Sequence, residues 1–207
     1  MDGIAYGWHL FQSGGVVMYP LLLLSVITVA IAVERLSYYR QNRRGSMAFF
    51  AAVRTALAAR DFGKAAHLCA ESPTAVARII GQGLEHDADE AAMKDAFEQR
   101  MTLEAAGFRR YLDYLSAIVT ISPLLGLLGT VTGMIRTFSI LDGGAGAAAI
   151  TGGVGEALVA TATGLCVAIL AFCAYTYFDH QFDAIVNDTE ALAIDVLNAK
   201  KESGARA

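Results

Sequence analysis

Three long apolar runs divide the chain: Val16 to Val33, Tyr114 to Ile135, and Ala157 to Phe178. At about 18, 22 and 22 residues, each is long enough for a helix to cross the hydrocarbon of a bilayer. The second is broken only by Ser122, Pro123 and threonines. The stretch between the first two, Gln41 to Asp113, is too charged to span anything and reads as helices. Ser46 is placed to cap a helix through Phe49, Phe50, Val53 and Leu57 that ends near Gly63. A short helix follows to Cys69 and stops at Ser72-Pro73, and another runs from Thr74 to Leu84. Asp87 or Asp89 then starts a longer element, with Glu90 in its first turn.

In that element Met93, Phe97, Met101, Phe108, Leu112 and Leu115 follow mostly at three- or four-residue steps, with charges opposite. No Gly-Pro break separates this stripe from the second apolar run. The pattern predicts one helix of about 50 residues from Asp89 to Leu141, reaching about 75 Å and bent at Pro123. Two helices meeting near Gly107 are the alternative. The tail repeats the theme: Phe178, Phe182, Ile185, Val186, Thr189, Leu192, Ala193, Val196 and Leu197 form a stripe on a helix continuing the third run. That stripe must be buried against the chain's own cytoplasmic helices or those of another copy. Long helices with few loops fit a bundle that oligomerises around an axis.

Charge sets the direction. Only 17% of the 207 residues are charged, against about a quarter in soluble domains, which fits a chain with several spans. No Lys or Arg precedes Arg35, whereas Arg35, Arg40, Arg43 and Arg44 follow the first run. A secretory signal would need the positive charges first. The positive-inside rule places the N-terminus outside and the C-terminus, with Lys200, Lys201 and Arg206, inside. The expected plan is an all-α polytopic membrane protein. It has an outer segment 1–15, spans at 16–33, 114–138 and 156–178, a cytoplasmic helical region 34–113, an outer loop 139–155, and a cytoplasmic helix 179–207. Arg136, near the outer end of the second span, can snorkel to the headgroups. Glu34, beside Arg35, reads as an interfacial pair.

Composition excludes several classes. No basic patch interleaved with aromatics points to nucleic acid. Cys69, Cys166 and Cys173 stand in no CxxC or Cys/His cluster, so no zinc site or disulfide framework is indicated. There is no P-loop, nucleophile elbow or HExxH, so no catalytic residue, cofactor or metal is assigned. The glycine-rich Asp142 to Gly155 follows no strand and reads as a compact turn.

The informative chemistry lies inside the spans. Gly126, Gly129 and Gly133 strip one side of the second span, and Ala160, Gly164 and Ala168 do the same on the third. Small residues four apart let helix backbones approach closely. Thr130 and Thr132 put hydroxyls in the middle of the second span, and Thr161 and Thr163 in the third. Threonine hydroxyls can simply bond back to their own helix, but Thr130, beside Gly129, is placed to reach a neighbouring helix. Glu156 opens the third span. It is either an interfacial carboxylate favoured by the helix dipole or the mouth of a polar path that attracts cations. Thr163, seven residues on, lies on nearly the same face. Neither span carries an Asp or Lys at mid-bilayer. If protons cross here, the titrating carboxylate belongs to a partner.

LGLLGTVTGMIRTF (Leu125 to Phe138) and GGVGEALVATATGL (Gly152 to Leu165), with VERL (Val33 to Leu36) ending the first span, resemble the signature of the ExbB/TolQ/MotA proton-channel family, nearest its ExbB and TolQ branches. The three-span order and the large cytoplasmic insertion fit as well. The resemblance implies a homopentamer in a bacterial inner membrane around a dimer of single-span ExbD- or TolR-like partners. Each partner carries an aspartate in the central pore. It further implies coupling of the proton motive force to TonB-dependent transport, or to TolA and envelope integrity. By motif, Thr130 and Thr161 would face the partner aspartate and Glu156 would sit toward the outer mouth. A non-conducting scaffold, in which glycines and threonines merely pack helices, is the rival of another class.

Overall fold

The computed structural model describes residues 11, 14–43, 46–86, 90–142 and 147–204. The protein is all-α, with no strand among the described residues. Its main helices are α1 (Met18–Arg43), α2 (Ser46–Ala58), α3 (Phe62–Glu71), α4 (Ala75–Leu84), α5 (Glu90–Arg109), α6 (Leu112–Asp142) and α7 (Ala147–Gly204). The chain forms two compact units: Met1–Val33 with Tyr111–Tyr177, and Glu34–Arg110 with Phe178–Ala207. Helices α1 and α7 contribute to both.

The first unit holds the three helical stretches long and apolar enough to cross a membrane. Val17, Met18 and Leu21 of the N-terminal segment and α1 are buried against Leu125 and Val159. Leu24 and Val119 pack onto Ile118, Val167 and Ala171. Elsewhere large apolar side chains face outward, among them Leu23, Val26, Leu124, Leu127, Val131, Leu158, Ile169 and Phe172. Surface this apolar is untenable in water and suits lipid tails or other spanning helices. The fold is that of a multi-pass membrane protein.

The second unit has a core of its own. Leu192, Ala193 and Val196 of α7 join Val53, Leu57, Ile80, Met93 and Phe97 of α2, α4 and α5. The tail stripe is therefore buried against helices of its own chain. Asp61 accepts from the backbone N–H of Lys64 at 2.8 Å and caps α3, and Thr74 caps α4 through Ala77 at 3.3 Å. Because Arg60 turns left-handed (φ 58°), α2 ends at Ala58 and not near Gly63, which lies inside α3. Arg78 grips Glu104 through Nε (2.8 Å) and Nη2 (2.6 Å), and Arg100 adds a bond at 2.8 Å. The Arg78 hydrogen bond holds the Glu104 carboxyl below its ordinary range, against the opposing pull of burial.

The single helix expected from Asp89 to Leu141 is two. α5 stops at Arg109, Tyr111 takes φ 68°, and α6 starts at Leu112. The cause is a cap from a remote part of the chain. Arg35 Nη1 donates to the carbonyls of Gly107 (3.0 Å) and Phe108 (3.4 Å), and Tyr39 OH donates to Phe108 O at 3.2 Å. These are terminal carbonyls of α5 that a continuing helix would have used internally. Arg35 is only 2% exposed. Its Nη2 donates to Glu34 at 2.6 Å, and its guanidinium lies 4.8 Å from the Tyr38 ring centroid. The expected Glu34–Arg35 pair is present, with the arginine also serving as a helix cap. The starting position proposed at Asp87 or Asp89 lies outside the described residues.

The compact turn expected over Asp142 to Gly155, and the outer loop 139–155 that contains it, are helical up to Asp142 and again from Ala147. The alanine run 147–149 favours helix strongly enough to carry the glycines after it. Residues 143–146 lie outside the described residues.

Candidate functional site: the seam between α6 and α7

Within the first unit, α6 and α7 meet along small residues. A methyl group added at Gly126 would lie 3.0 Å from Thr161 Cα and 3.2 Å from Ala160 O. At Gly129 it would lie 2.5 Å from Ala160 Cβ, and at Gly133, 3.1 Å from Ala157 Cβ. At Gly164 it would lie 2.5 Å from Ser122 O and 3.1 Å from Gly126 Cα. At Gly153 it would run into Thr137 Oγ1. On α6 the contact positions are 122, 126, 129, 133 and 137, a face repeating every three or four residues. Backbone meets backbone here, which only glycine and alanine allow.

The hydroxyls divide into two kinds. Thr130 Oγ1 donates to Leu127 O at 2.6 Å, and Thr163 Oγ1 to Val159 O at 2.9 Å. Thr132 shares its proton between Leu128 O (3.0 Å) and Gly129 O (3.1 Å). Thr137 donates to Gly133 O at 2.9 Å. All four bond back to their own helix. Thr161 alone among these crosses, donating to Gly126 O on the facing helix at 3.0 Å. The sequence favours Thr130 for that reach, but the Cα-level approach of Thr161 to Gly126 gives the crossing bond to Thr161. Both are half-buried.

Glu156 lies on α7, ahead of Ala157, which packs against Gly133; its side chain is outside the described set. Thr163 is half-buried two positions beyond Thr161. Neither Tyr114 to Ile135 nor Ala157 to Phe178 contains an Asp, Glu, Lys, Arg or His. The seam can therefore solvate a charge or proton and cannot itself titrate.

Sequence reasoning named Ala160 as a small residue of this packing face but missed Ser122, Thr137 and Ala157 as seam positions. The signal was present in the spacing 122, 126, 129, 133, 137, but Ser122 next to Pro123 looked like an interruption of the span. It missed the Arg35 cap because nothing local links Arg35 to Gly107.

Residues 71–191 match the MotA/TolQ/ExbB proton channel family. A putative biopolymer transport protein ExbB-like 1 from Synechocystis sp. is 38% identical over 80% of this chain and 67% of its own length. A biopolymer transport protein ExbB from Neisseria meningitidis is 28% identical over 90% of this chain and 93% of its own. A Tol-Pal system protein TolQ from Haemophilus influenzae is 36% identical over 49% of this chain and 47% of its own. The family match covers more than half of the sequence, including the glycine-lined seam of α6 and α7: the chain belongs to the MotA/TolQ/ExbB proton channel family.

Proposed function

We propose that this chain is the proton-conducting subunit of an ExbB-type motor in a bacterial inner membrane, with its N-terminus outside and its C-terminus in the cytoplasm. Copies of it, five by family resemblance, would surround a dimer of single-span ExbD/TolR-like partners. The partners' membrane aspartates would take up and release the protons. Thr130, Thr161 and Thr163 would solvate that acid, and Glu156 would gather cations at the outer mouth. Motion of the partners would be passed to a TonB-like protein and so to outer-membrane transport.

The observation that carries this reading is the α6–α7 seam. It holds a hydroxyl bridge from Thr161 to Gly126, yet neither Tyr114 to Ile135 nor Ala157 to Phe178 brings a carboxylate of its own. A TolQ-like role in a Tol-Pal system is the second reading, supported by the TolQ relative over 49% of this chain. The ExbB relative covers 90%, which favours the ExbB branch.

The test is co-purification with the single-span protein encoded beside it, mass measurement of the complex, and energy-dependent uptake by variants. Thr161→Val and Glu156→Ala are expected to assemble normally and lose uptake. Normal uptake by both variants would leave a non-conducting scaffold as the better account. Loss of envelope integrity with intact uptake would move the chain to the Tol branch.

A further inference from the structure

From Tyr114 to Leu141, α6 carries a single charged residue, Arg136. From Ala147 to Phe178, α7 also carries a single one, Glu156. A lone cation on one helix and a lone anion on the next, both at the same end of their spans, invite the question of where each stands on the seam.

The packing positions answer it. Gly133 meets Ala157, Thr137 meets Gly153, and Ser122 meets Gly164. The numbers fall on α7 as they rise on α6, so the two helices run antiparallel. Arg136 lies between Gly133 and Thr137, and Glu156 lies between Gly153 and Ala157. Their levels along the seam differ by two residues, about 3 Å. Each immediately precedes a packing position. In antiparallel helices that face each other, residues at the same step before their packing positions stand on the same side of the contact. Leu125 and Val159 confirm this: they precede Gly126 and Ala160, and Val17, Met18 and Leu21 pack against both. Thr130 and Thr161 instead follow Gly129 and Ala160, which puts them on the opposite side.

We infer that Arg136 pairs with Glu156 across the outer end of the seam, on the side where α1 packs, and so sets how strongly Glu156 draws cations. Ionisable groups at membrane depth pair with one another because each alone is costly. The pairing rests on the reading of Glu156 as a collector of cations at the outer mouth and deepens it. Arg136 acts through Glu156, as a positioning residue.

The test uses the intact complex with its single-span partner in liposomes, with proton entry from the outer side followed by an internal pH dye. Arg136→Gln leaves the carboxylate unopposed and is expected to raise proton entry about threefold. An arginine that only holds the fold together would leave entry unchanged or lower it, and either result overturns the inference. Glu156→Arg is expected to lower entry about tenfold with the mass of the complex unchanged, and adding Arg136→Glu to it should recover most of the loss. No recovery overturns the inference. The geometry is tested separately, on a chain whose Cys69, Cys166 and Cys173 are replaced by alanine. Arg136→Cys with Glu156→Cys should form a disulfide within one chain on oxidation. Met134→Cys, level with Glu156 but following Gly133 and so on the other side, should not. A missing disulfide from position 136, or an equally efficient one from position 134, overturns the inference even if Glu156→Arg fails to assemble. Thr161→Val, measured in parallel, separates the two readings. If it stops conduction while the Arg136 tests fail, only the pairing is wrong; if Thr161→Val and Glu156→Arg both conduct normally, the channel reading fails with it.

Discussion

At the residue scale, the packing of α6 on α7 turns on side chains that are missing. Gly126, Gly129, Gly133 and Gly164 let two helices touch at backbone distance, and that contact brings the Thr161 hydroxyl to a carbonyl of the other helix at 3.0 Å. Gly164→Ala tests the closest approach to backbone among these. Its new methyl would lie 2.5 Å from Ser122 O, so the helices must separate, at a cost of about 1–3 kcal/mol. Thermal unfolding of the detergent-solubilised complex should show the loss, together with reduced conduction. Gly155→Ala, with nothing within 4 Å of its new methyl, serves as the control and should change neither. The glycine spacing was plain in the sequence because small-residue repeats are read directly from it. The choice between Thr130 and Thr161 was not, because whether a threonine bonds inward or across depends on where the facing carbonyl falls.

At the element scale, the main lesson is the break between α5 and α6. Local pattern argued for one continuous helix: the apolar stripe runs through Phe108, Leu112 and Leu115 without a helix breaker, and all three are buried as that stripe requires. What ends α5 is Arg35, 72 residues away in sequence from the Gly107 carbonyl it binds. A tertiary cap of this kind leaves no local trace, so periodicity found the buried face and missed the turn. Arg35→Met would leave the Gly107 carbonyl without that donor and Glu34 without its partner. We expect a loss of about 3 kcal/mol in stability. Tyr39→Phe, which removes one of two donors to Phe108 O, should cost about 1 kcal/mol. Equal, negligible effects for the two in an unfolding titration would show that the cap contributes nothing. By contrast, the helices from Thr74 to Leu84 and along the tail were legible, because their apolar stripes and flanking stop signals are local.

At the scale of the whole molecule, sequence and structure divide the work differently. Hydropathy alone located the three membrane-crossing stretches, since no soluble packing could hide that much apolar surface. The burial of the tail stripe had two readings, its own chain or another copy, and the core formed by Leu192, Ala193 and Val196 with α2, α4 and α5 decides for its own chain. The outward-facing Leu124, Leu127, Leu158 and Ile169 are left for lipid and for the other subunits of the proposed assembly.

The central claim is that Thr161 stands beside a partner's membrane acid, and oxidative crosslinking tests it most directly. Cys69, Cys166 and Cys173 are first replaced by alanine. The complex is then made with Thr161→Cys and with cysteine in place of the aspartate in the single-span partner. The account predicts a disulfide between them in the membrane, and little or none from Ile169→Cys on the outward apolar surface. Efficient capture by Ile169→Cys, with none by Thr161→Cys, would contradict it.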